Sequence, residues 1–222
     1  MKRALLVMAK EPLAGRTKTR LTPPLSPDAA AELYACFLRD ALDLARSPSG
    51  VTPLVAYAPP QARDYFRDLV PEFGLMAQRG SSLGDRLAHV MGQALASGFD
   101  QVAAMNSDSP TLPADYLSQA FARLGHSETD VVLGPCDDGG YYLIGWKRPH
   151  PTLVREVKMS TGQVLDDTLA LAAEEGLQVA LLPSWYDVDT PEDLERVRSD
   201  LSRTGRFGRH TRRFLEMRDA SL

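Results

Sequence analysis

The feature that most constrains the fold of this chain is a regular alternation of short apolar runs and longer amphipathic runs. The run "ALLVMA" near the amino end is apolar throughout, as expected of a central strand covered on both faces. It is followed by "SPDAAAELYACFLRDALDLA", in which Ser26 is a suitable N-cap and Pro27 suits the first helical position. Strand and helix patterns continue to alternate in this way toward the carboxyl end. The alternation predicts βα units and a mostly parallel sheet.

The domain organisation follows from the extent of this pattern. The 222 residues suit one large α/β domain, and neither an internal repeat nor a linker interrupts the chain before about residue 203. We therefore expect one domain over 1–202. The remainder, 203–222, is basic and poorly patterned, and we interpret it as a C-terminal tail.

Composition excludes several classes of function. The two cysteines, Cys36 and Cys136, and the four scattered histidines show no zinc or disulfide spacing, which favours reduced thiols and disfavours transition-metal catalysis. No segment is long and apolar enough to span a membrane, so we expect a cytoplasmic protein without a membrane partner. The net charge of -4 disfavours nucleic-acid binding, so any anion site must be local. The oligomeric state is not indicated by the sequence.

A cationic loop follows the first predicted strand. The stretch "LAGRTKTRL" combines one glycine with three cations, namely Gly15 with Arg16, Lys18 and Arg20. Ligands bind at the carboxyl ends of parallel strands, so this loop is well placed for phosphate groups. It is not a P-loop, because Thr17 stands where that motif needs glycine, and the single glycine excludes a dinucleotide fingerprint. A solvated basic turn is the alternative.

Two acidic motifs follow later strands. In "AAMNSDSP", Asn106 and Asp108 lie on the same side of an extended segment, and "WYDVDTPEDL" brings Asp187 and Asp189 just before a helix start at Thr190. Carboxylate oxygens suit a hard divalent cation that also holds phosphate, typically magnesium. Asp189 could supply the second carboxylate opposite Asp108. An Asx turn or a helix cap at Asp108 explains the first motif equally well.

Two glycine-rich stretches complete the candidate site. In "QRGSSLGDRL", the Gln78 amide can contact a nucleobase edge through a paired donor and acceptor, and Gly80 lies beside it. In "CDDGGYYLIG", the two glycines can expose backbone N–H groups to a ligand. A plain loop and a hairpin turn are the respective alternatives.

Six ordered blocks of this sequence resemble a known family. They are "AKEPLAGRTKTRL", "QRGSSLGDRL", "NSDSP", "GPCDDGGYYLIG", "MSTGQVLDDT" and "DVDTPEDL". Together they resemble a bacterial family of GT-A-type glycosyltransferases, some linked to arsenosugar biosynthesis, in the nucleotide-diphospho-sugar transferase superfamily. The "KTRL" and aspartate arrangement is also similar to 2-phospholactate guanylyltransferase and, more distantly, to the molybdenum-cofactor guanylyltransferases.

The resemblance implies a single-domain Rossmann-like GT-A fold, with a mixed, mostly parallel sheet and helices on both faces. It implies nucleotide binding by Gly15, Arg16, Lys18, Arg20, Gln78 and Gly80. It implies a Mg²⁺ or Mn²⁺ site at Asp108 and Asp189, which with Lys18 are the candidate catalytic residues. Acceptor binding would fall to Asp138, Gly139, Gly140 and Tyr141.

These residues predict a divalent-metal-dependent transferase that uses a nucleotide-activated donor and a small-molecule acceptor. Transfer of a sugar from a nucleotide-sugar is the first interpretation. A nucleotidyltransferase that releases pyrophosphate from a nucleoside triphosphate is the alternative within the same machinery. A nucleotide-binding module without catalysis is the alternative outside it.

Overall fold

The computed structural model describes residues 1–204 and 208–219, and seven strands in this part of the chain form one sheet. The strands are β1 (Arg3–Lys10), β2 (Val51–Ala58), β3 (Gly74–Ala77), β4 (Gln101–Met105), β5 (Val131–Pro135), β6 (Tyr141–Trp146) and β7 (Val179–Leu181). Their spatial order is β3-β2-β1-β4-β6-β5-β7. Only β6 runs antiparallel to its neighbours, β4 and β5, among the described strands. The predicted mostly parallel mixed sheet is therefore confirmed.

The described part of the chain contains eight α-helices, most of which connect and cover these strands. They are α1 (Pro27–Ala45), α2 (Arg63–Leu69), α3 (Leu83–Ala96), α4 (Ala114–Leu124), α5 (Thr152–Arg155), α6 (Val164–Glu174), α7 (Pro191–Thr204) and α8 (Arg209–Asp219), and short 3-10 helices lie at Thr19–Leu21 and Pro60–Ala62. The predicted start of α1 is confirmed, since the Ser26 hydroxyl accepts a hydrogen bond from Ala29 N at 3.2 Å and Pro27 begins the helix.

Two apolar layers pack the helices onto opposite faces of the sheet. In β1, Leu5 and Val7 point to the face covered by α1, α2 and α4, whereas Ala4 and Leu6 point to the face covered by α3, α5 and α6. This alternation is the two-residue period of an extended strand. Burial on both faces explains why the strand is apolar throughout.

The segment predicted as a C-terminal tail contains α8, which packs against α1. Buried Asp40 of α1 accepts hydrogen bonds from the backbone N–H groups of His210 and Thr211, at 3.0 and 2.9 Å. It also accepts one from the Thr211 hydroxyl at 2.6 Å. These bonds fix the start of α8, where four backbone N–H groups lack partners within the helix. The boundary at residue 203 stays a prediction, and residues 205–207 and 220–222 of the predicted tail lie outside the described part.

Cys36 and Cys136 are both free thiols, as expected from their spacing. No helix among the described residues combines the length and apolar character needed to cross a membrane.

Candidate functional site

The carboxyl ends of the six mutually parallel strands meet at one edge of the sheet, where their loops enclose two neighbouring cavities. The larger cavity has a volume of about 740 Å³ and contains the acidic motifs. The smaller has a volume of about 570 Å³ and lies against the ends of β2 and β3. Both are lined by Lys10, Arg16, Thr17, Gln78 and Arg86, so they form a continuous cleft.

Lys18 lies between the two predicted metal-binding aspartates. Its ammonium nitrogen, Nζ, is 2.6 Å from Oδ1 of Asp108 and 2.7 Å from Oδ1 of Asp189. The Lys18 side chain is 5% exposed, whereas those of Asp108 and Asp189 are 33% and 40% exposed. The structure therefore brings together three charged groups that lie far apart in the sequence. It also excludes Asp108 as the cap of the next helix, since α4 begins only at Ala114.

The charge and backbone of Lys18 are both constrained by this position. Burial lowers the pKa of its ammonium group, but attraction to Asp108 and Asp189 outweighs burial, and the pKa is raised above its ordinary value. Lys18 also adopts the left-handed conformation, with φ 49° and ψ 40°. That conformation costs a non-glycine residue about 1–2 kcal/mol. The ion pairs hold the residue in this conformation, a pattern typical of functional sites.

Backbone contacts set the spacing of the two acidic motifs. The carbonyl oxygen of Asp108 accepts a hydrogen bond from Val188 N at 3.0 Å, so the segments carrying Asp108 and Asp189 are joined directly. Asn106 Oδ1 accepts a weak hydrogen bond from Asp108 N at 3.3 Å, which is the Asx turn considered from the sequence. Asp189 N donates to Asp193 Oδ2 at 3.1 Å, beside the helix start predicted at Thr190.

A hydroxyl pair joins the end of β1 to the loop after β4. The Tyr34 hydroxyl lies 2.9 Å from the Ser107 hydroxyl and accepts a hydrogen bond from Lys10 N at 3.1 Å. Ser107 in turn donates to the carbonyl oxygen of Met8 at 3.0 Å. Burial raises the pKa of Tyr34 to about 12, so this hydroxyl stays protonated at neutral pH. Tyr34 thus positions the two loops that carry Lys18 and Asp108.

The larger cavity also contains Asp187, which was not predicted as a site residue, close to Asp138 of the predicted acceptor side. One ligand atom each from Cys136, Asp138 and Asp187 can be chosen so that all three lie within 4.8 Å of one another. Burial, followed by repulsion from Asp138, Asp189 and Asp108, raises the pKa of Asp187 to about 7. Asp187 belongs to the same motif as Asp189, and this adjacency was the one available signal in the sequence.

The donor set fits a divalent cation. Four carboxylates, those of Asp108, Asp138, Asp187 and Asp189, line one cavity. Among the described residues, Lys18 is the only cation that lies within 3 Å of any of these carboxylates. The nearest arginine atom, Arg20 Nη1, is 3.9 Å from Asp189. Clustered carboxylate oxygens in excess of positive charge are the ligands that Mg²⁺ and Mn²⁺ prefer. The residues present therefore match the predicted metal.

Arginine side chains surround the passage between the two cavities. Arg16 and Arg20 of the predicted loop are exposed there, and Gly15 at the loop's bend adopts φ 70° but lines neither cavity. Arg79 and Arg86 also line the cleft, and Arg86 Nε donates to the Gly80 carbonyl at 3.2 Å. These two arginines were not predicted as site residues, although both lie within "QRGSSLGDRL". Four guanidinium groups make this passage suitable for phosphates.

Gln78 lies in the wall of both cavities, but its amide differs from the expectation. Its Nε2 donates two hydrogen bonds to backbone carbonyls, to Ala56 O at 2.7 Å and Ala9 O at 3.2 Å. Both amide hydrogens are therefore used within the protein. The expected paired donor and acceptor is wrong, and only the acceptor oxygen is available to a ligand. Gly80 lines the smaller cavity beside it.

Residues of the predicted acceptor side lie across the larger cavity. Asp138, Gly140 and Tyr141 line it, and Asp138 Oδ1 accepts a hydrogen bond from Gly140 N at 2.8 Å. Gly139 does not line it; a Cβ at this position would lie 2.1 Å from the carbonyl oxygen of Gly162. Gly139 thus allows the turn to approach the 159–163 segment closely.

Comparison with known structures supports the fold. A protein from Desulfovibrio desulfuricans G20, described as a candidate nucleotide-diphospho-sugar transferase, is 31% identical with a TM-score of 0.90, over 99% of this chain and 96% of its own. A nucleotidyl transferase from Methanothermobacter thermautotroptrophicus is 13% identical with a TM-score of 0.61, over 92% of this chain and 100% of its own. The Mycobacterium tuberculosis H37Rv protein Rv0371C, solved with manganese, is 19% identical with a TM-score of 0.52, over 89% and 98%. The predicted nucleotide-diphospho-sugar transferase fold is confirmed.

Comparison with sequence families identifies the family to which this chain belongs. None of the curated proteins matches this sequence significantly. The profile of a family described as an uncharacterized protein conserved in bacteria, DUF2064, matches residues 41–161. This range includes Gln78, Asp108 and the 136–141 turn. Because more than half of the sequence matches the profile, the chain belongs to the bacterial DUF2064 family.

Proposed function

We propose that this protein is a divalent-metal-dependent transferase that uses a nucleotide-activated donor, and that it moves a sugar from a nucleotide-sugar to a small acceptor. The observation that carries the proposal is the position of Lys18, buried between Asp108 and Asp189 beside two further carboxylates. This arrangement places one fixed cation and a cation-binding donor set next to an arginine-lined passage. A nucleoside diphosphate with its metal ion needs both.

Three groups of residues have different roles in the proposed reaction. Arg16, Arg20 and Arg86 bind the diphosphate through charge-assisted hydrogen bonds. Lys18 lies where negative charge develops on the leaving diphosphate, and it needs no reorganisation to stabilise that charge. Asp108 and Asp189, with Asp187 nearby, would hold Mg²⁺ or Mn²⁺, and the bound ion would neutralise further charge on the leaving group.

The acceptor has room on the far side of the same cavity. The 740 Å³ volume extends from Lys18 to Asp138 and Tyr141, and it is of the size that holds a small ligand. Asp138 and the turn around it would orient the acceptor hydroxyl toward the sugar. Such orientation supplies a large part of the rate enhancement in group transfer. The 31% identical Desulfovibrio protein, described as a candidate nucleotide-diphospho-sugar transferase, supports this choice of reaction.

A second candidate reaction is nucleotidyl transfer, in which an acceptor oxyanion attacks the α-phosphorus of a nucleoside triphosphate and pyrophosphate leaves. The observation that favours it is the number of arginines, since Arg16, Arg20, Arg79 and Arg86 can neutralise a third phosphate. The nucleotidyl transferase among the structural neighbours has the same fold.

A ligand screen followed by product analysis tests the proposal. Thermal shifts are measured with nucleoside triphosphates, nucleoside diphosphates and nucleotide-sugars, each with and without MnCl₂ or MgCl₂. We expect a shift of several degrees only when nucleotide and metal are both present. Release of a nucleoside diphosphate from a nucleotide-sugar supports glycosyl transfer, whereas pyrophosphate release from a triphosphate replaces it with the second candidate. No shift with any combination contradicts both.

The change Asp108→Asn separates an enzyme from a binding module. An amide at this position keeps the size of the side chain but removes the charge that Lys18 and a metal ion need. We expect turnover to fall roughly 100-fold or more, as when a charge-stabilising group is removed from an active site. The matched control is Asp64→Asn on α2, an exposed partner of Arg67 that lines neither cavity, which should retain full turnover. Unchanged activity in Asp108→Asn would contradict a catalytic role.

A further inference from the structure

The Gln78 side chain is the most specific polar feature of the smaller cavity. It is only 7% exposed, yet it lines both cavities. Gln78 is the residue immediately after β3. Its backbone N–H continues the hydrogen bonding of the sheet by donating to Tyr57 O at 2.9 Å. A long polar side chain held this deeply is immobile, so it can distinguish between ligands.

The orientation of the Gln78 amide is fixed by its surroundings. Backbone carbonyls of Ala9 and Ala56 only accept hydrogen bonds, so the NH₂ group must face them. No described residue donates a hydrogen bond to Oε1, and Oε1 is not among the fully buried polar atoms that lack a partner. Oε1 is therefore an accessible, unpartnered acceptor in the cavity wall. The oxygens of Ala9 and Ala56 already accept from Nε2, so Oε1 is the part of the amide left for a ligand.

The rest of the smaller cavity suits a flat, mostly apolar group. Leu13, Ala58, Pro59 and Pro60 supply apolar surface. The cavity opens toward Arg16 and Arg86, which lead to Lys18 and the carboxylates in the larger cavity. A nucleoside diphosphate bound with its phosphates along the arginines thus places its base against Gln78. This placement rests on the proposed function.

We propose that Gln78 selects nucleotides whose base carries an exocyclic amino group, namely guanine, adenine or cytosine. The amino group donates to Oε1 from the rim of the base. Uracil has a carbonyl oxygen where cytosine has the amino group, and an oxygen facing Oε1 is repelled. Hypoxanthine and purine have a hydrogen where guanine and adenine have the amino group, so Oε1 stays unpaired. An acceptor left unpaired by such a base weakens binding roughly tenfold, which corresponds to about 1.4 kcal/mol.

The test compares diphosphates that differ at the amino group, using the full chain at a fixed MnCl₂ concentration. Isothermal titration gives Kd for three pairs: CDP with UDP, GDP with IDP, and ADP with purine riboside diphosphate. We expect the tightest ligand to carry an amino group, and its partner to bind roughly tenfold more weakly. If the tightest ligand binds no better than its amino-free partner, or UDP binds tightest, the inference is wrong while the proposed function stands. If none of the six binds, the proposed function fails as well.

A variant of Gln78 gives an independent measurement. Gln78→Met retains the length of the side chain but has no strong acceptor, so the difference in Kd within the preferred pair should disappear. Gln93→Met, exposed near the end of α3, should retain that difference. The comparison of ligands on the unaltered protein does not depend on how well Gln78→Met folds, although this change leaves two backbone carbonyls unpaired. A preference that persists in a folded Gln78→Met protein would overturn the role assigned to Gln78.

Discussion

Replacing Lys18 with methionine removes the cation that lies between Asp108 and Asp189 and retains a side chain of similar length. Removing one partner of a buried ion pair costs about 3–5 kcal/mol, whereas an exposed pair contributes about 0–1 kcal/mol. Here the lysine is buried, but its two partners are 33% and 40% exposed, so water solvates them after the change. We therefore expect an intermediate loss of about 1–3 kcal/mol. For a chain of this length that lowers Tm by roughly 3–10 °C.

The same change should make the protein respond more strongly to divalent cations. Without Lys18, the carboxylates of Asp108, Asp187 and Asp189 lack their closest cation among the described residues, so an added ion gains more by binding there. Thermal melts across a range of MnCl₂ concentrations should show a larger rise in Tm for Lys18→Met than for the unaltered protein. Turnover should fall roughly 100- to 1,000-fold, since the group that stabilises the leaving diphosphate is gone.

Lys147→Met is the matched control. Lys147 donates to the backbone carbonyls of His126 and Ser127, on the surface away from the cleft. We expect it to change Tm by less than about 3 °C and to leave the response to MnCl₂ unaltered. The reasoning about Lys18 is refuted if Lys18→Met melts at the same temperature as the unaltered protein and shows the same response to MnCl₂.

Three further changes test other parts of the structure. The pKa of Asp187 is raised from 3.8 to about 7, so the folded state holds the carboxyl proton of Asp187 more tightly than the unfolded state does, and stability falls as pH rises between these values. Asp187→Asn removes this loss and should therefore raise Tm more at pH 8 than at pH 5 in thermal melts. Asp40→Ala removes the acceptor at the start of α8 and should cost about 2–3 kcal/mol in urea unfolding, with faster hydrogen exchange in α8 than in the unaltered protein. Gly84→Ala places a Cβ 1.8 Å from the Val154 carbonyl oxygen and should lower the free energy of unfolding by about 1–3 kcal/mol. In Gly92→Ala, in the same helix, the Cβ meets no atom within 4 Å and should not destabilise the protein. Equal unfolding midpoints for these two variants would contradict the packing argument.

The parts of the fold that depend on neighbouring residues could be predicted from the sequence. Ser26 and Pro27 set the start of α1 through contacts within four residues, and the alternation in β1 reflects its own burial. The four-residue strand β3 was not predicted, because a strand this short has no pattern that distinguishes it from a loop. Helix α8 was not predicted either. Its start is fixed by Asp40, which lies about 170 residues earlier in the chain.

Some features of the candidate site could likewise be predicted from the sequence, and others could not. The resemblance and strand-end rule together suggested that Lys18, Asp108 and Asp189 lie at one edge of the sheet, and the structure brings them into contact. The orientation of Gln78 could not be predicted, since it depends on carbonyls from two other strands, β1 and β2. The raised pKa of Asp187 also depends on the tertiary structure, since it arises first from burial and then from carboxylates that include Asp138 and Asp108 on separate segments. The roles of all these residues in binding and catalysis stay predictions.

The reversed direction of β6 has a practical consequence for protein engineering. Because β5 and β6 are antiparallel, the chain turns back at the cleft within residues 136–140. This hairpin forms one wall of the larger cavity, and the loops after β1 and β4 form another. The hairpin is held by a backbone β-bridge between Cys136 and Trp185 and by the ion pair between Asp137 and Arg196. A graft that retains these two contacts and Gly139, and replaces Asp138 and Gly140, would therefore redesign one side of the cleft while the opposite side keeps its architecture.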